Sequence, residues 1–228
     1  MTTAVAKTSE GTVSTFTQKR GLERVTKDDL TVPKIILTQP LSNFVLVDGK
    51  QAGVFVNSVT RETYKDVTFT PVIFSKYWDG LKPEGNKMVF DFRTFNENDP
   101  RLSGKRFFPE KDEQTGQRLP AQVNFVRAFL SIVEGKPVMI TFSKANSKTG
   151  KRLIDLAAAK EGDFFAWSYK LTVARETRQG NTYFVSVVED AGKADEATFK
   201  IAENIYNSFG AKVEAVNTDS AVDEEVGF

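Results

Sequence analysis

Neither cysteine nor histidine occurs anywhere in the 228 residues. Without cysteine there is no disulfide, no thiolate nucleophile and no Cys-based zinc site. Without histidine the commonest metal ligand and the commonest general base near neutral pH are both missing. Enzymatic chemistry would have to run on carboxylate-held Mg²⁺ or on lysine, so a non-enzymatic protein needing no cofactor is expected. No apolar run approaches the roughly 20 residues of a membrane span, and the first residues lack the basic-then-apolar pattern of a secretion signal. The expected location is cytoplasmic, with no membrane partner.

What is present is a chain rich in phenylalanine, 19 residues, with 40% hydrophobic residues, enough for a substantial core. Its charge is unevenly divided. Residues 1–212 carry all 31 basic side chains and 25 of the 30 acidic ones, a formal +6, and residues 213–228 carry the remaining five acids and no base. A basic body joined to an acidic, poorly apolar tail can fold that tail over its own cationic surface until a polyanion displaces it. An acidic tail that merely keeps the protein dispersed is the plainer alternative.

The strand pattern starts at Lys34–Thr38. Phe44–Val47 followed by Asp48-Gly49 reads as strand and turn, and Val54–Val56 resumes extended. Asp66–Trp78 is a long β-branched and aromatic run in which Pro71 marks an edge or a bulge. Lys82–Lys87 reads as a turn and Met88–Phe95 as a strand. Asn96–Pro120 is a long polar connection with a basic-aromatic knot, Lys105-Arg106-Phe107-Phe108, and connections of this length are often functional. Gln122–Val133 and Val138–Ser143 form a hairpin about Glu134–Pro137. Phe164–Arg175 and Thr182–Glu189 form a second hairpin. Ser147–Lys160 reads as a helix inserted between the hairpins, and Ala194–Phe209 as a C-terminal helix stopped by Gly210. Before the first strand, Thr26 is placed to cap a short helix with Asp28 and Asp29 in its first turn. The expected fold is mainly β (α+β): an OB-like antiparallel Greek-key barrel with one inserted and one C-terminal helix, a sandwich being the alternative. The expected organisation is a flexible arm over 1–20, the barrel domain over 21–212 and a disordered acidic tail over 213–228.

Two strands carry ring, cation, ring on one face, because residues two apart in a strand share a side. These are Phe74, Lys76 and Trp78, and Phe125, Arg127 and Phe129. The opposite face of the second strand, Val126, Ala128, Leu130 and Ile132, is the natural core side, and an unpartnered arginine avoids the core. Exposed rings around a guanidinium suit unstacked bases and phosphates, although the same rings can fill a small second core under the 96–120 connection. Arg93, Lys105, Arg106, Phe107, Lys144, Lys148, Lys151 and Arg152 complete the candidate phosphate-tracking and stacking set. Trp167 and Tyr169 share a stripe with Phe165, Leu171 and Val173, and Phe90 and Phe92 pair with Met88; both groups read as core.

The tail ends in Asp223-Glu224-Glu225-Val226-Gly227-Phe228. This ending resembles that of bacterial and bacteriophage single-stranded DNA-binding proteins, and Gly21–Ser42 has a looser likeness to phage proteins. The resemblance implies a protein of phage DNA replication or recombination, acting in the host cytoplasm, that binds single-stranded DNA without strong sequence preference. It also implies that Asp223, Glu224, Glu225 and Phe228 recruit partners such as a polymerase or helicase-primase. Proteins of that type often form homodimers and anneal complementary strands, properties that no residue of the body specifies by itself. Two rival readings stand beside it. One is a phage structural or interaction protein. The other is an Mg²⁺-dependent nuclease built on Asp112 and Glu134-Gly135-Lys136, a segment that a hairpin turn explains as well. The Ser147–Arg152 run lacks the first glycine and the final Ser/Thr of a P-loop and is set aside.

Overall fold

The computed structural model describes residues 31–209 apart from Asn86 and Gln179. In chain order the elements are β1 (Lys34–Leu37), α1 (Asn43–Leu46), β2 (Phe55–Asn57), β3 (Thr63–Tyr64), β4 (Val67–Glu84), β5 (Lys87–Thr94), β6 (Glu110–Lys111), β7 (Arg118–Leu119), β8 (Val123–Val133), β9 (Lys136–Ser143), α2 (Ser147–Ala158), β10 (Trp167–Arg178), β11 (Asn181–Lys193) and α3 (Glu196–Phe209). The mainly β, α+β class expected from the sequence is the observed one, with α2 inserted between the two long hairpins and α3 closing the described chain. The proposed arm over 1–20, the Thr26 cap with Asp28 and Asp29, and the acidic tail lie outside the described residues.

One long strand organises the sheet. β4 pairs with β10 through Val67–Phe69, with β8 through Thr70–Gly80 and with β5 through Trp78–Glu84. The hydrogen-bonded order is β11-β10-β4-β8-β9-β1-β2-β3, with β5 on β4 as the ninth strand. β1 runs parallel to β9, so the sheet is mixed. The hairpin expected about Glu134-Gly135 forms there, both residues taking positive φ (50° and 73°) as a two-residue turn requires.

Two buried clusters lie on the two faces. One gathers Ile35, Phe55, Phe69, Phe129, Ile140, Phe142, Leu153, Tyr169, Leu171 and Val188, so seven strands and α2 contribute side chains to it. The other packs Val126, Ala128, Leu130 and Ile132 of β8 beneath Ala202 and Ile205 of α3. The alternation read along β8 therefore held on its apolar side. Tyr169 and Leu171 are core as expected, Phe165 lies under α3, and Trp167 and Val173 are partly buried against the first cluster. Burial raises the Tyr169 hydroxyl pKa to about 12, and among the described residues that hydroxyl has no hydrogen-bond partner.

Among the described residues the path of paired strands does not close on itself through backbone pairing; side chains bridge β11 to other parts of the fold. Gln39, just past β1, donates from Nε2 to the Phe184 carbonyl (2.8 Å) and accepts the Phe184 N–H at Oε1 (3.0 Å). Its amide stands in for a strand on β11. Two residues on, Asn146 Oδ1 accepts the N–H and hydroxyl of Ser186, and the Thr149 hydroxyl donates to the Ser186 carbonyl. Asn146 sits at the N-cap of α2 but makes no side-chain cap bond there, because its oxygen is engaged by β11. Side chains from the segment after β1 and from the start of α2 thus cover part of the free edge of β11.

Three local expectations are corrected. Phe44–Val47 is not a strand: Asn43–Leu46 is one helical turn, ended by Gly49 at φ +64°, that buries Phe44. An apolar run of four suits either form, and the glycine decides. Lys82–Lys87 is not all turn, because β4 continues to Glu84. Phe90 is not core: a bulge opposite Gly80/Leu81 places Asp91 out of register, and Phe90 is 48% exposed while Phe92 packs inward.

Gln39→Ala leaves the Phe184 N–H and carbonyl half-buried without partners, so it should lower stability by about 1–3 kcal/mol in urea unfolding. An unchanged midpoint would mean that water replaces the amide freely.

Candidate nucleic-acid interface

The two ring-cation-ring strands are immediate neighbours in one ladder. In the β4/β8 register Phe74 faces Phe129, Lys76 faces Arg127 and Trp78 faces Phe125. Sequence alone offered two separate triads; the structure makes them one face. The ring centroids lie 5.0 Å apart for Phe74 and Phe129 and 5.3 Å for Trp78 and Phe125.

The face is graded from sealed to open. Phe129 is fully buried beneath Phe74, Phe142 and Phe164. Trp78 is 8% exposed, packed with Leu102 and Val123. These two rings are corrected from stacking platforms to structural ones, since a ring without exposed surface cannot take a base. Phe125 and Arg127 are half-buried, Lys76 is exposed, and Phe74 is 37% exposed.

The electrostatics of the face are unusual. Lys76 and Arg127 are like charges directly opposite each other, an arrangement that destabilises a ladder. The Arg127 guanidinium lies 4.6 Å from the Phe125 ring centroid and donates from Nη1 to the Ser147 hydroxyl (2.8 Å). Its partners among the described residues, Ser147 and the Phe125 ring, are neutral, and burial moves its pKa below the ordinary arginine value. It nevertheless stays charged, since arginine is not deprotonated in proteins. Lys76 lies 5.4 Å from the Trp78 ring and is paired at 3.0 Å with Glu97, an exposed carboxylate from the connection after β5.

Helix α2 brings further cations to this edge. Ser147 is its first residue, and Gly150 lets it approach: a Cβ there would lie 2.8 Å from Phe142 Cβ and 3.2 Å from Arg127 Cδ. Lys144, immediately before α2, and Lys148, Lys151 and Arg152 on it are all exposed. The sequence placed these cations on a helix but had no means of placing that helix over Arg127.

Arg93 is a second correction. It forms a two-pronged pair with Asp79, Nε to Oδ1 at 2.7 Å and Nη2 to Oδ2 at 3.2 Å, and lies 4.0 Å from the Tyr77 ring centroid. Its charge is already matched, so its role here is structural. Lys105 and Arg106 are half-buried, Lys105 over Phe92 at 5.6 Å and Arg106 donating from Nε to the Pro120 carbonyl. Phe107 is 41% exposed. The nuclease alternative gains nothing: Asp112 Oδ1 accepts the Gln114 and Thr115 N–H groups of a turn, and Glu134 occupies the β8–β9 turn. Among the described residues no three acidic side chains converge as a metal site would need. Asp223, Glu224, Glu225 and Phe228 lie outside the described residues.

Sequence reasoning missed Glu97, Ser147, Phe142 and Phe164, which complete or cover the face. Each comes from a different element, and no spacing in the sequence connects them to Lys76, Arg127 or Phe129.

Residues 4–215 match the family model described as Pam3 phage gp34-like protein. The chain belongs to that family. The match spans the whole described fold, so a phage context holds for the β-sheet body. No curated protein and no solved structure matches the chain. No helix among the described residues is long and apolar enough to cross a membrane.

Because Phe129 is sealed in the core, Phe129→Ala should cost about 3–5 kcal/mol of stability in urea unfolding. A loss under about 1 kcal/mol would mean the ring is far less enclosed than its three covering aromatics require.

Proposed function

We propose that this chain is a single-stranded DNA-binding protein of phage replication or recombination, gripping unpaired strands by ring stacking and phosphate neutralisation with little sequence preference. One observation carries the reading: Phe74, Lys76, Phe125 and Arg127 lie in register on one partly open face, two rings and two cations, with the exposed Glu97 carboxylate paired to Lys76. A backbone phosphate satisfies both cations at once, and every base offers a π-face to an exposed ring. Lys144, Lys148, Lys151 and Arg152 extend the cationic surface along α2, and Lys105 and Phe107 flank it from the connection after β5. The sheet bridged by Gln39 is read as an elaborated OB-like barrel, a platform well suited to this task.

The acidic 213–228 segment would compete with the strand for this face and recruit replication or recombination partners through Asp223, Glu224, Glu225 and Phe228. Its support is the charge division between body and tail. Homodimer formation and strand annealing remain expectations of the resemblance. A phage interaction protein is the second reading, favoured by the exposed Phe90, Phe95 and Phe108.

Phe74→Ala and Arg127→Ala should each weaken binding of a fluorescent oligo(dT) by about 1–3 kcal/mol, and Lys76→Ala should lower the salt slope by roughly one. Fluorescence anisotropy titrations across a salt series measure both. Failure of the unaltered protein to bind oligo(dT) at low salt would remove the proposal.

A further inference from the structure

Phe108 is 77% exposed and its neighbour Phe107 41%. Adjacent exposed rings usually belong to a mobile tip that can fold them away. These two are held from behind. The Arg106 carbonyl accepts the N–H groups of Gln122 (2.7 Å) and Val123 (3.1 Å), and the Arg106 N–H donates to the Gln122 side chain (3.2 Å). The Arg106 guanidinium donates to the Pro120 carbonyl, and Leu102 anchors the start of the segment between Trp78 and Val123. The tip therefore stands beside the first residues of β8, within two residues of Phe125 along the chain. Of the three cations between Pro100 and Phe108, Arg101 is paired with Asp99 at 2.7 Å, while Lys105 and Arg106 immediately precede the rings.

We propose that Phe107 and Phe108 form a wedge that enters the base stack of the bound strand and unstacks neighbouring bases. This rests on the strand-binding reading above and adds an activity to it: the bound strand is held splayed, not merely coated. Nucleobases are the occupant the surroundings favour, because the segment bearing the rings is anchored at the Trp78–Phe125 end of the ring-cation face through Leu102 and Val123, and Lys105 and Arg106 immediately precede the rings. An apolar wedge flanked by positive charge matches the alternation of base and phosphate, and apolar side chains inserted between base steps are an established means of unstacking.

The test uses the full chain and an oligo(dA) carrying one central 2-aminopurine, whose fluorescence is quenched while it is stacked. At saturating protein the unaltered chain should raise that fluorescence severalfold. The variant Phe108→Ser changes only an exposed side chain. It should bind oligo(dT) within a few-fold of the unaltered chain and leave the 2-aminopurine near its free-oligonucleotide level. The inference is overturned if the variant keeps the rise, or if the folded variant binds at no concentration, which would make Phe108 a primary anchor. It is equally overturned if the variant keeps the rise but sediments as a smaller species, which would assign the tip to a second copy of the chain. If the unaltered protein binds without any rise, the wedge fails and the strand-binding reading stands. If it does not bind oligo(dT), the strand-binding reading itself fails.

Discussion

The bulge in β4 at Pro71–Ile73 sets the geometry on which the proposed face depends. Before it, Thr70 faces Ile132 and Pro71 faces Ser131; after it, Ile73 faces Leu130 and every later pair is displaced by one. Without the extra residue Ser75 would face Arg127, Tyr77 would face Phe125, and Phe74 would oppose Ala128. A one-residue slip in a strand exchanges the side chains offered to each face. Proline creates the opening for this bulge, because it has no N–H to give to the ladder. The alignment of ring on ring and cation on cation thus follows from one backbone irregularity, well inside the strand.

That alignment is not one that folding alone would favour. Opposed cations in a ladder are repulsive, and two half-open aromatic pairs leave apolar surface in water. The protein softens both without removing them. Arg127 rests on Phe125 and on a serine hydroxyl, neutral partners that orient it without cancelling its charge. Lys76 has Glu97, but an ion pair between side chains 49% and 58% exposed contributes at most about 1 kcal/mol and is screened by salt. A phosphate can exchange with that carboxylate at small cost, whereas the doubly bonded Asp79 beside Arg93 would resist. Arg93 is thus matched by a carboxylate bonded at both oxygens, whereas Arg127 rests on neutral partners.

Much of this architecture was legible because local chemistry and global packing agree. Glu134-Gly135 sits between two β-rich runs and makes the turn it promises, and α2 and α3 show helical periodicity at their observed positions. The apolar alternation Val126, Ala128, Leu130, Ile132 reads directly as a core face, which the structure covers with α3. What was not legible was set by partners remote in sequence. Phe129 looked like an available ring because its own strand says only that it is opposite the core face. That Phe74, Phe142 and Phe164 close over it is a tertiary fact. Arg93 looked free because Asp79 lies 14 residues away on the neighbouring strand. Phe90 was misread because a bulge breaks the period on which the reading relied, and Phe44–Val47 because four apolar residues carry too little period to choose a form.

The two helices and the side-chain bridges to β11 also explain how such a face can be held in place on an open-ended sheet. α2 contributes Leu153 to the inner core, gives Ser147 to Arg127, and binds β11 through Thr149, with Asn146 beside it; the same helix therefore belongs to core, face and seam. Moving it to relieve strain at any one of these points would disturb the other two. Gly150 is where this coupling is tightest, since the helix passes so close to Phe142 and Arg127 that a methyl group would collide with the strand. A guanidinium positioned in this way loses little additional freedom when an anion arrives, which is the condition under which a single charged contact contributes most to binding.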